Sequence, residues 1–186
     1  MYYFIVNNFE VTAMDVKDYI RTIPDFPKEG IMFRDVTTIM NDANGFKLAI
    51  DEMTKAISDT EFDVVVGIES RGFIFGAPIA YNLNKPFVPI RKKGKLPYKT
   101  VEESYALEYG TATIEVHEDA IPAGSRVVVI DDLIATGGSA KAAANLVEKL
   151  GAEVVKFAFL IELPALGGRE TLKDYAIATI TQFDGE

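Results

Sequence analysis

The 186-residue chain contains no cysteine and only one histidine, His117. Without cysteine there are no disulfides, no thiolate zinc sites and no cysteine nucleophiles, which suits a reducing compartment. A lone histidine cannot make a paired-histidine metal site. His117 lies in the alternating segment "TIEVHE", where neither a catalytic nor a metal role is expected. Basic residues are also scarce: 19 Lys and Arg stand against 28 Asp and Glu, a formal net charge of −9. Broad attraction to nucleic acid or to an anionic membrane is therefore not expected. Long apolar runs are missing too. The longest, Gly72 to Leu83, falls short of the ~20 residues a membrane span needs. The opening "MYYFIVNNFE" lacks basic residues and has only a short oily core, so it reads as a structural extension or edge segment, not a signal peptide. The expected location is the cytoplasm.

What is present is an ordinary globular balance, 48% hydrophobic and 25% charged. The length suits one domain that buries roughly 70% of its unfolded surface. "TAMDVKDYIRTI" places Val16, Tyr19, Ile20 and Ile23 on one helical face, with Thr12 and Asp15 as a capping pair. "GFKLAIDEMTKAISD" repeats the pattern with Phe46, Ala49, Ile50, Met53 and Ile57. "FDVVVGI" is wholly apolar and β-branched, a strand buried on both faces. A helix follows "ESRG", and "KPFVPIR" is another strand. "RKKGKLPYKTVEES" is polar and aperiodic and reads as a mobile loop. "TATIEVHE" alternates like a half-exposed strand. "RVVVID", a helix over "GSAKAAANLVEKLGAE" stopped by Gly151, "EVVKFAFLIEL" and "DYAIATI" complete the series. Repeated strand–helix alternation predicts an open, mainly parallel α/β sheet flanked by helices, with ligands outside the carboxyl ends of its strands.

Two stretches occupy such ends: Glu69 to Gly72 and Asp131 to Ser139. In the second, "VVVIDDLIATGGSA", a strand meets a glycine turn and a helix start, a ready site for an anion. Gly137 and Gly138 allow close backbone approach, and Thr136 and Ser139 add hydroxyls. No lysine follows, so this is not a Walker loop; a single phosphate monoester is the expected guest. The adjacent Asp131 and Asp132 repel each other unless something shares them. A sugar diol can do so, and Mg²⁺ can stabilise them further. Phosphate on the turn and diol on the acids describe a ribose 5-phosphate. Taken without the rest of the string, the pair reads better as solvated acids beside a capped helix; the whole string weakens that reading.

The string resembles the phosphoribosyl-diphosphate signature of the type I phosphoribosyltransferases. The wider chain resembles the adenine-using branch through "IPDFPKEGIMFRDVT", "GIESRGFIFG", "RKKGKLP" and "YALEYG", over about Asp15 to Gln182. The resemblance implies a single domain over 1–186, with a base-binding hood at about 12–40 and a flexible flap at about 91–112. It implies that Asp131 and Asp132 hold the ribose hydroxyls and that Ala135, Thr136, Gly137, Gly138 and Ser139 cradle the 5-phosphate; serine stands at 139 where the family more often has threonine. Glu69, Ser70 and Arg71 would serve the diphosphate, with a cis peptide between Glu69 and Ser70. Arg91, Lys92 and Lys95 would contact the diphosphate, some across a homodimer. Phe33 would stack on the purine, and Met32 and Arg34 would select its 6-amino group. Glu108 and Tyr109 would close over the reacting centre. The implied reaction takes adenine and phosphoribosyl diphosphate to AMP and diphosphate with Mg²⁺, the metal carried by the donor. Use of another nucleobase, or a non-catalytic sensor of the donor, are the alternatives.

Overall fold

The computed structural model describes residues 14–106 and 110–185. Asp15 caps a single 3-10 turn, Val16–Tyr19, in a capping box closed by Asp18. The helix expected over this segment stops there. Arg21–Ile23 (β1) instead pairs antiparallel with Phe33–Asp35 (β2) as a two-stranded hairpin. The β-branched pair at Thr22 and Ile23 suits a strand better than a second helical turn. Thr12, the other half of the expected cap, lies outside the described residues.

Thr37–Asn41 (α1) leads into Ala43–Ala56 (α2), capped by the Asp42 carboxylate on the Asn44 and Gly45 amides. The apolar stripe read from the sequence faces inward: Ala49, Met53 and Ile57 are fully buried. Val64–Ile68 (β3), Arg71–Asn82 (α3) and Phe87–Lys92 (β4) form a parallel strand–helix–strand unit. Thr100–Ala106 (β5) and Thr111–His117 (β6) then make an antiparallel ribbon beside β4. Half of the segment read as a mobile loop is therefore strand. Its polarity is that of an edge: alternate β5 side chains are exposed, while Glu103 accepts from Lys149 and Asn145.

Arg126–Ile134 (β7), Gly138–Lys149 (α4), Glu153–Glu162 (β8), the short helix Gly168–Thr171 (α5) and Ile177–Gln182 (β9) complete the chain. The seven-stranded sheet has the order β5-β6-β4-β3-β7-β8-β9, parallel from β4 to β9. One face packs α2 and α3 through Met53, Phe75 and Ile79, and the other packs α4 through Ala143, Leu146 and Val147. Burial of each such side chain contributes about 1.5–3 kcal/mol. From β3 the chain crosses by α3 to β4 on one side. From β7 it crosses by α4 to β8 on the other. The connections thus diverge between β3 and β7, and in an open sheet that divergence leaves a crevice at the carboxyl ends. No described helix is long and apolar enough to cross a membrane.

Candidate active site

A cleft of about 350 Å³ opens at that divergence. Its floor comes from the end of β3 and the following turn, Ile68 to Arg71, and from the end of β7 through the start of α4, Asp131 to Ala140. Gly72 lets the two loops meet. A Cβ there would lie 2.6 Å from the Ile130 carbonyl oxygen and 3.0 Å from Asp131 Oδ1. The peptide between Glu69 and Ser70 is cis.

The acidic pair does not end its strand as the sequence suggests. β7 continues through it to Ile134, with Asp131 opposite Phe159 and Leu133 opposite Ile161 of β8. Asp132 is buried, and its Oδ2 lies 2.6 Å from Arg71 Nε. Asp131 Oδ1 accepts from the Asp132 amide at 2.9 Å. Burial, then the charge of its neighbour, pushes the Asp131 carboxyl well above the ordinary range. Burial likewise raises Asp132 against the opposing pull of Arg71. Arg71 begins α3, where the helix dipole disfavours a cation; the anion beside it is Asp132.

Beyond β7 the chain turns through Ala135, Thr136 and Gly137 into α4. Gly137 has φ +80° and caps the helix without any side-chain hydrogen bond. The first amides of α4 are thereby left for a ligand. Ser139, in the first turn of α4, also lines the cleft. Tyr105, on β5, also lines it and had no role assigned from the sequence. Burial, then the charge of Asp131, raises its phenol pKa.

The basic run divides. Lys92 lines the cleft, whereas Arg91 forks onto Glu69 with Nε–Oε2 and Nη2–Oε1 distances of 3.2 and 3.3 Å. Burial pushes the Glu69 carboxyl up, but the Lys92 amide and the Arg91 guanidinium outweigh it and hold the group below its usual range. Lys95 is exposed and stands outside the cleft wall, its amide donating to Glu115 at 2.9 Å. Glu115, buried in β6, also accepts from the Leu96 amide and draws the loop 93–99 onto the ribbon. Reading the run for charge alone misses that carboxylate, because its partners stand about twenty residues away in the chain.

Met32, Phe33 and Arg34 belong to the hairpin and do not line the cleft. Phe33 meets the half-exposed Phe26 edge-on, ring centres 5.1 Å apart. Arg34 donates to Thr22 Oγ1 at 2.5 Å and lies 4.4 Å over the Phe183 ring. Glu108 and Tyr109 lie outside the described residues. Among those described, no cluster of three or more His, Asp or Glu could hold a metal by itself.

A crevice at a diverging parallel sheet, with acids near the end of one strand and bare helix amides beyond them, is the architecture of a site for a phosphorylated sugar. Residues 37–185 match the model of the phosphoribosyl transferase domain, and the chain belongs to that family. Within it the chain groups with the adenine phosphoribosyltransferases. It is 62% identical over 171 residues to the one from Agathobacter rectalis, covering 92% of this chain and 98% of the relative. The crystal structure of adenine phosphoribosyltransferase from Thermoanaerobacter pseudethanolicus superposes with a TM-score of 0.88 at 49% identity, covering 90% and 98% of the two chains. That from Saccharomyces cerevisiae, complexed with D-2,5-dideoxy-2,5-imino-altritol 1,6-bisphosphate and adenine, gives 0.84 at 42% identity, covering 89% and 96%.

Proposed function

We propose that the protein transfers ribose 5-phosphate from phosphoribosyl diphosphate to adenine, releasing AMP and diphosphate. The observation that carries this reading is the shared cleft: Asp131 and Asp132 stand within the last paired stretch of β7, and the uncapped amides of Gly138 and Ser139 follow in the same wall. The acids accept hydrogen bonds from the two ribose hydroxyls. The turn from Ala135 to Ser139 takes the 5-phosphate. Gripping the sugar at both ends fixes its anomeric carbon, which converts a collision into an oriented attack.

Loss of diphosphate leaves positive charge on the sugar ring and negative charge on the leaving group. Arg71 and Lys92, both in the cleft wall, are placed to take up that negative charge, with Ser70 beside them. Arg91 and Lys95 add to the same field from outside the wall, some of these cations reaching across a homodimer. Among the described residues of the cleft wall, Glu69 is taken up by Arg91 and Asp132 by Arg71, which suits Mg²⁺ carried in by the donor. When bound, Mg²⁺ would supply charge neutralisation of the diphosphate.

The hairpin, part of a hood at about 12–40, presents the base. Phe33, braced by Phe26, offers a ring for purine stacking, and Met32 and Arg34 stand beside it to read the 6-amino edge. The flap expected at about 91–112, with the β5–β6 ribbon as its frame, would exclude water, and Glu108 and Tyr109 are its residues assigned to the reacting centre. The whole forms one domain and works in the cytoplasm.

Labelled adenine, hypoxanthine, guanine and uracil, each incubated with phosphoribosyl diphosphate and Mg²⁺, test the assignment. AMP forms from adenine and the other bases react poorly or not at all. The double variant Asp131→Asn, Asp132→Asn loses turnover while keeping its circular-dichroism spectrum. Undiminished turnover in that variant removes the diol assignment.

A further inference from the structure

Behind the glycine turn, on the side away from the cleft, lies the short segment Gly167–Thr171. The two backbones touch. A Cβ on Gly137 would come within 2.9 Å of the Gly168 carbonyl oxygen and 3.0 Å of Thr171 Cβ, and a Cβ on Gly168 would collide with the Ala135 carbonyl. Across this contact the Thr171 hydroxyl donates to the Thr136 carbonyl at 2.7 Å. We propose that Thr171 is a positioning residue for the sugar 5-phosphate, turning the Gly137 amide toward the cleft through that one bond; this rests on the ribose-phosphate reading above.

The reason lies in peptide geometry. The Thr136 carbonyl and the Gly137 N–H belong to one planar trans unit and point in opposite directions. Holding the carbonyl back toward Thr171 faces the N–H away from it, and Gly137 is part of the cleft wall. Without such a tether the unit is free to rotate. Rotation changes φ of the following residue, and a glycine accepts either sign of φ at little cost. Gly137 stands at φ +80° with no side chain capping the helix it begins. The hydroxyl of Thr171 is the group that selects one orientation.

The segment itself is anchored independently of the cleft. Arg169 forks onto Glu162 at 2.6 and 2.7 Å. Glu162 is buried at the end of β8, and it also accepts from Thr179 at 2.9 Å and from Gln182 at 3.1 Å on β9. The hydrogen bonds of Arg169 and Thr179 outweigh burial and hold the Glu162 carboxyl below its usual range. Neither Glu162, Arg169 nor Thr171 lines the cleft. Their effect on a ligand passes through the turn.

Calorimetric titration of ribose 5-phosphate and of diphosphate, separately, into the full chain tests this. Thr171→Val keeps the shape and removes the donor. It should weaken ribose 5-phosphate by roughly fivefold, the size of one hydrogen bond, and leave diphosphate unchanged. Thr171→Ser should restore the wild-type value. Arg169→Lys, which cannot fork onto Glu162, should show the same selectivity if Thr171→Val does not fold. Unchanged ribose 5-phosphate affinity in Thr171→Val, equal loss of both ligands, or no rescue by serine overturns the assignment of Thr171 alone. Failure of wild-type protein to bind ribose 5-phosphate overturns it together with the reading of the cleft.

Discussion

Asp131 sits where the unliganded protein can least use a negative charge. Its carboxyl is driven up by burial and by Asp132, so the folded chain retains a proton that the unfolded chain has released. A raised carboxyl pKa costs stability as pH climbs above the ordinary value of 3.8. Asp131→Asn should therefore melt higher than wild type at pH 7, with the gap closing as pH falls toward 3.8, while its turnover is lost. Thermal melts across pH check this, and an equal or lower melting temperature at pH 7 would contradict it. Arg71→Ala should weaken donor and diphosphate far more than AMP, since the arginine stands on the turn assigned to diphosphate; equal losses by titration would argue against its placement. Asp35 behaves in the opposite way to Asp131. Hydrogen bonds from Thr37 and Arg21 lower it to about 2, so its contribution to stability is lost only as pH falls from 3.8 through about 2. Residues of this kind are hard to read in a sequence. The acids and glycines of the cleft announce themselves by clustering. Glu115 and Glu162 look like ordinary surface acids, and only the fold brings their donors to them.

Elements differ in legibility for a physical reason. β3, α2 and α4 follow their apolar patterns closely, because each buries a continuous face. β7 overruns its expected end, because Asp132 is compensated by Arg71 rather than by solvent and the ladder to β8 continues past it. β5 is hidden among charges that are paired with the loop after β4 and with α4, Lys93 on Glu102 and Lys149 on Glu103. The hairpin strands are three residues each, too short for any period to show. The junction of α3 with β7 depends on Gly72. Gly72→Ala should push Asp131 and the Ile130 carbonyl apart from the arginine turn, lowering turnover at least tenfold with a loss of about 1–3 kcal/mol by denaturant unfolding. A variant with wild-type kinetics would mean that the two loops need not touch.

For the whole molecule, the alternation of strand and helix conveyed the sheet, and the divergence of its crossovers placed the cleft. The seating of the hairpin was not legible, since it depends on residues at opposite ends of the chain. Val16, Ile20 and Val36 share one buried cluster with Phe183, and the Phe183 ring carries Lys17 at 4.8 Å and Arg34 at 4.4 Å. Phe183→Ala should cost about 3 kcal/mol and raise the KM for adenine while leaving that for the donor near wild type. Steady-state kinetics with each substrate varied separately decide it; a rise confined to the donor would detach the hairpin from base binding. The same ring also dictates a sequence of events during synthesis. Translation delivers the chain from its amino end, so the hairpin leaves the ribosome long before the aromatic side chain it leans on exists. Until β9 has been made and has joined β8, a nascent chain holds its amino-terminal hairpin without the ring that closes over it.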